Sequence, residues 1–194
     1  MKTKAELLLS THQTVFTVDD LAVLWKMPDR SKLWESIKYY LRTQRLYSIQ
    51  RGVYARSEKY SPLEAAVKIF SPAYISYLTA LGIHGAYFQY TSEIHTIAKT
   101  SKQIELPTGQ AIVYHQVKNE ILLNQQGIEK VDGYWIANLE RAICDTSYLF
   151  PDFVFEHLQN VDIEKLERLS ALYNNKALQS RIQKLIILIR EEIQ

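Results

Sequence analysis

The sequence predicts an α+β fold, with a small N-terminal domain of helices and one hairpin over residues 1–57 and a mixed α/β domain over residues 61–194 that ends in helices. Three observations predict it. Apolar residues recur at helical spacing three times before residue 46, and a β-favouring segment centred on Gly52 follows. Short β-favouring runs fill residues 94–137, and helical patterning takes over from Asn138. Charge divides the same way: residues 1–60 hold 11 Lys and Arg against 6 Asp and Glu, whereas residues 61–194 hold 12 against 15.

The first helix is expected over residues 5–9, ending near Ser10-Thr11. Thr17 suits the N-cap of the second, because its hydroxyl can accept from an open backbone N–H and Asp19 and Asp20 favour the first turn. Leu21, Leu24 and Trp25 form its buried face. Pro28 disfavours helical geometry at Met27 and ends that helix. Ser31 is the expected cap of a third helix running to about Arg45, in which Leu33, Ile37, Tyr40 and Leu41 recur at i, i+4, i+7 and i+8. Residues 46–56 then read as a tight hairpin with Gly52 taking positive φ at its turn.

Further on, Ser61-Pro62 and Ser71-Pro72 carry one signature, serine as cap and proline at the first helical position. They predict helices from Pro62 to about Ile69 and from Pro72 through Leu81, the second stopping around Gly82 to Gly85. Strands are expected at residues 94–98, 103–106 and 111–114, with Pro107 and Gly109 making the last two a hairpin. A second strand pair, 127–131 and 134–137, is joined by Asp132-Gly133. From Asn138 the chain reads as helix, interrupted at Pro151, near Asn160 and at Asn174-Asn175. The last helix repeats Leu178, Ile182, Leu185, Ile186, Ile189 and Ile193, a stripe expected to dock on the same domain, with a partner protein as the alternative cover.

Composition removes several classes of function. With 47% hydrophobic residues the chain can bury a core, and no apolar run reaches the roughly 18 residues that cross a bilayer. Lacking a signal-peptide pattern at its start, the sequence points to the cytoplasm and to no membrane partner. One cysteine, Cys144, excludes an internal disulfide and a multi-thiolate metal site. The histidines at 12, 84, 95, 115 and 157 never fall three to five residues apart, so no two-His helical zinc motif exists. No cofactor is expected.

Residues 30–60 concentrate 8 basic groups against Glu35 and Glu58. Such a patch attracts phosphates, and a solvated basic surface is the plain alternative. Helix, capped helix, basic helix and basic hairpin in that order describe a winged helix-turn-helix, whose third helix suits the DNA major groove. The candidate contacts to double-stranded DNA are Lys32, Glu35, Lys38, Tyr39, Arg42, Thr43 and Arg45 along the helix, with Arg51 and Arg56 on the hairpin. A module that docks a protein instead of DNA is the competing reading.

Three segments, Ile49-Gln50-Arg51-Gly52-Val53-Tyr54, Tyr74-Ile75-Ser76-Tyr77-Leu78-Thr79-Ala80-Leu81-Gly82-Ile83-His84-Gly85 and Tyr134-Trp135-Ile136-Ala137-Asn138-Leu139-Glu140-Arg141-Ala142-Ile143-Cys144-Asp145, resemble the AbiEi-type antitoxin and transcriptional-regulator family of type IV toxin–antitoxin systems. The resemblance implies a winged helix that represses its own promoter at inverted repeats, and a C-terminal domain that opposes a nucleotidyltransferase-like toxin without a stable complex. About 50 residues follow Asp145, fewer than in longer members, so a plain transcriptional regulator without a toxin partner is the alternative.

Glu140, Arg141 and Asp145 are the most enzyme-like cluster, and a helix-surface ion pair between Arg141 and Asp145 at i, i+4 is the expected structural use. His84 offers a ligand or general base, or a hydrogen bond at a helix end. No phosphate loop, Rossmann glycine pattern or nucleophile elbow occurs, and no Glu-x-Lys or Asp-x-Lys pair of the nuclease type. The sequence therefore predicts no enzymatic activity.

Overall fold

A computed structural model describes residues 2–89 and 91–192, so Ile193 of the last apolar stripe lies outside the described residues. The chain is mixed α+β and forms two compact units. One is Met1–Ser71 with Asp132–Tyr134, and the other is Pro72–Val131 with Trp135–Gln194.

The first unit runs α1 (Lys4–Leu9), β1 (Val15–Thr17), α2 (Val18–Leu24), α3 (Arg30–Arg42), β2 (Tyr47–Gln50), β3 (Val53–Ala55) and α4 (Pro62–Ile69). Its antiparallel sheet has the order β1-β3-β2. Strand β1 went unread in the sequence, because three residues show no alternation and Thr17 also caps α2. That cap is a capping box, in which the Thr17 hydroxyl accepts from Asp20 N–H while the Asp20 carboxylate accepts from Thr17 N–H. Leu8, Phe16, Leu21, Trp25, Leu33, Ile37, Tyr40, Leu46 and Tyr54 make the core.

Helix α3 differs from its expected bounds at both ends. Asp29, not Ser31, is the N-cap, its Oδ1 accepting from Ser31 N–H at 2.9 Å and Lys32 N–H at 3.3 Å. At the other end Gln44 takes a left-handed φ of 53°, and the N–H of Arg45 donates to Tyr40 O while that of Gln44 donates to Leu41 O. This Schellman closure stops the helix at Arg42 and turns Leu46 into the core. Arg45 is consequently off the helix.

Helix α4 belongs to the first unit, so the break falls later than the boundary expected between residues 57 and 61. The reason is Glu64, 1% exposed, whose Oε2 accepts from the N–H groups of Thr14 and Val15, both at 2.8 Å, and from the Thr14 hydroxyl. One carboxylate satisfies the leading end of β1. Lys68 adds an ion pair to Asp20 at 2.7 Å.

The second unit contains β4 (Ala73–Ile75), α5 (Tyr77–Ile83), β5 (Glu93–Ala98), β6 (Lys102–Glu105), β7 (Ala111–Gln116), α6 (Asn119–Leu122), β8 (Ile128–Val131), β9 (Tyr134–Ala137), α7 (Leu139–Leu149), α8 (Ile163–Ala171) and α9 (Lys176–Glu192). Its sheet has the order β6-β7-β5-β4-β9-β8, with β5 parallel to β7 and β4 parallel to β9. The helix expected from Pro72 begins only at Tyr77. Residues 73–75 are wholly buried between β5 and β9, and Ala-Tyr-Ile serves that central place better as strand. Residues 150–162 hold no helix, which widens the break expected at Pro151. Leu178, Ile182, Ile186 and Ile189 of α9 are buried as α9 packs on α7 and α8.

Among the described residues no helix is long and apolar enough to cross a membrane.

Candidate nucleic-acid interface

The periodicity of α3 divides it cleanly. Leu33 and Ile37 are fully buried and Tyr40 is 7% exposed, while Lys32, Glu35, Lys38, Tyr39 and Arg42 are exposed on the opposite side. Trp25 of α2 holds the buried side in place through its ring contact with Tyr40, centroids 5.1 Å apart. Burial of one stripe therefore fixes the direction of the other.

The basic residues of this region differ in what they have already bonded. Arg30 is paired with Asp19 at 2.6 Å, and Lys32 lies 3.9 Å from the Asp29 carboxylate. Lys38, Arg42, Arg45 and Arg51 enter no ion pair among the described residues. The Arg42 guanidinium sits 5.8 Å from the Tyr39 ring, a cation–π contact that restricts its rotamers without neutralising it. Unpaired cations on one helical face are available to phosphates or guanine acceptors.

Other candidates are placed differently. Thr43 donates its hydroxyl to Tyr39 O at 2.9 Å, so that proton is spent on the helix end. Arg45 lies beyond the helix and shares a surface hollow of about 260 Å³ with Ala5, Leu8, Leu9 and Arg56. Arg56 Nη1 donates to Thr11 O at 2.6 Å and to Leu8 O, which ties the end of α1 and the turn after it to the residue that follows β3. Arg51 is exposed at the β2–β3 turn, where Gly52 at φ 84° gives the left-handed step. Gly52 O accepts from Val18 N–H at 3.2 Å, so the turn sits against the start of α2. One residue on the α3 face was absent from the sequence candidates: Trp34, 40% exposed, one turn before Lys38. Its signal was the i, i+4 spacing to Lys38.

The cluster that looked enzyme-like is sealed. Arg141 and Asp145 are both 0% exposed, which corrects the expected surface pair to a buried one, Nε to Oδ1 at 3.5 Å. Arg141 donates to Ile121 O at 2.7 Å, Gln126 O at 2.9 Å and the Tyr74 hydroxyl at 3.0 Å. Asp145 accepts from Ser76 at 2.7 Å, from Tyr74 at 3.1 Å and from Tyr173. Burial opposes the charge of Arg141, and Asp145 with the Tyr173 and Tyr74 oxygens outweighs it, holding the guanidinium more firmly protonated than usual. Gly127 gives this network room: at φ 75°, a Cβ there would stand 2.8 Å from Arg141 Cβ. The arrangement knits β4, α7 and the segment after α6 together.

Two histidines meet on the sheet. His95 Nδ1 and His115 Nε2 are 3.0 Å apart, one bearing the shared hydrogen, under the rings of Tyr77 and Phe150. Burial pushes both down to about 4, with His95 adding to the effect on His115 and Glu93 opposing it. His84 Nε2 bonds Ala137 O at 2.8 Å. Among the described residues no group of three or more His, Cys, Asp or Glu is placed to hold a metal ion.

No protein-family model matches the chain, and no curated protein does. The fold is similar to that in the crystal structure of RV2827C protein from Mycobacterium tuberculosis, with a TM-score of 0.51 and 15% identity over 94% of this chain and 74% of that one.

Proposed function

We propose that the first unit is a winged helix-turn-helix that binds duplex DNA, and that the protein is a sequence-specific transcriptional regulator acting by binding, not catalysis. One observation carries the reading. The outward face of α3, opposite Leu33, Ile37 and Tyr40, presents Lys38 and Arg42 without anionic partners, and Arg51 stands free at a hairpin turn of the same unit. Folding alone does not require unpaired cations on these elements. The element order of helix, strand, helix, helix and hairpin supports the same reading.

The resemblance described above extends the proposal to an antitoxin that represses its own promoter and counteracts a nucleotidyltransferase-like toxin. The Arg141–Asp145 pair is sealed from solvent and serves the fold of the second unit.

A mobility shift with the gene's own upstream DNA tests the reading. Specific retardation that weakens when Arg42 or Arg51 becomes alanine is expected. Equal affinity for unrelated duplexes, or no change on these substitutions, overturns it. Affinity that barely responds to salt points instead to a protein partner.

A further inference from the structure

We infer that Trp34 is a specificity-determining residue that reads the 5-methyl group of thymine in the major groove. The inference rests on the DNA-binding reading of α3. Trp34, Lys38 and Arg42 fall at i, i+4 and i+8, a single line along the helix, and all three are exposed. Leu33 and Ile37 hold α3 in the core, and Trp34, three residues before Ile37, stands at the margin of that buried stripe with Lys38 and Arg42 further round toward the outward face.

The Trp34 indole is 40% exposed beside cations that enter no ion pair among the described residues, so an apolar face is open to a ligand on the same line as Lys38 and Arg42. Each group on this line has a natural counterpart on base edges. Lys38 and Arg42 match the O6 and N7 acceptors of guanine, whereas an indole face offers apolar contact. The apolar group displayed in the major groove is the thymine methyl. Four residues advance a helix by about 6 Å, close to two base-pair steps of about 3.4 Å. The line therefore corresponds to a thymine roughly two base pairs from a guanine.

The test uses the full-length chain. Duplexes enriched from a random pool by the protein are resynthesised with uracil for thymine at one position at a time, which removes only the methyl group. Loss of about fourfold in affinity at a contacted position is expected for the natural chain. Trp34→Ala should bind the thymine and uracil duplexes equally, and Trp34→Phe should keep part of the preference. An unchanged circular dichroism spectrum and Tm show that Trp34→Ala folds. Tight binding with no uracil penalty, or a penalty that persists in Trp34→Ala, overturns the role of Trp34 and leaves DNA binding standing. Failure to retain any duplex at low salt overturns DNA binding and this inference together.

Discussion

Arg141 shows how a single residue can be visible in a sequence and still be misplaced. Its i, i+4 spacing to Asp145 was legible, and the pair does form. Its depth was not legible, because the partners that make burial tolerable come from residues far along the chain: Tyr74, Ile121, Gln126 and Tyr173. A buried guanidinium needs nearly all its donors met, and that need ties distant segments to one atom group. Removing Asp145 leaves Arg141 charged in the interior. Asp145→Ala should cost about 3–5 kcal/mol, which lowers Tm by roughly 10 °C in a scan followed by circular dichroism. Glu35→Ala, on an exposed surface, should move Tm little. A shift below about 2 °C for Asp145→Ala would mean that the network is not what holds α7 in place.

At the scale of elements, patterning located α1, α2, α3, the β2–β3 hairpin and most strands of the second unit, since each carries its own period or turn. It failed where tertiary place decided. Ala73–Ile75 became strand because the centre of a sheet was open to it, despite a Ser-Pro signature that usually starts a helix. The end of α3 was also hidden. Gln44 adopts a left-handed conformation without being glycine, so no residue type announced the stop. Relief of that conformation predicts that Gln44→Gly stabilises the first unit by about 0.5–1 kcal/mol, measurable by urea unfolding. A decrease would show that the Gln44 side chain contributes more than its backbone strain costs. The hairpin makes a separate prediction. If Arg51 neutralises a phosphate, its alanine variant should reduce the slope of log affinity against log salt by about 1. An unchanged slope with lower affinity instead assigns that side chain to base edges.

Across the whole molecule, the charge division between the two halves was readable from composition, whereas the meeting of His95 with His115 was not. Twenty residues separate them, and only the parallel pairing of β5 with β7 brings them side by side. That pair makes the fold sensitive to acid. Both imidazoles are neutral when folded and are pushed down to about 4 from an ordinary value of 6.5. Between those values the unfolded chain binds protons that the folded chain does not, so stability is fully present above pH 6.5 and falls as pH drops toward 4. Glu93, with Oε2 3.9 Å from His95 Nε2, favours the charged form and moderates the loss. One imidazole shifted this far contributes roughly 3 kcal/mol of pH dependence. Asp20 acts at lower pH in the first unit: burial opposes its charge, but Lys68 and the Thr17 N–H hold the carboxyl below its ordinary value, so its contribution disappears only as pH falls through that lowered value. Thermal unfolding from pH 7.5 to 4.5 should therefore show a steep fall in Tm below pH 6.5, and His115→Gln, which keeps an amide donor beside His95, should flatten it by about half. A variant whose Tm follows the natural chain throughout this range would place the acid sensitivity elsewhere.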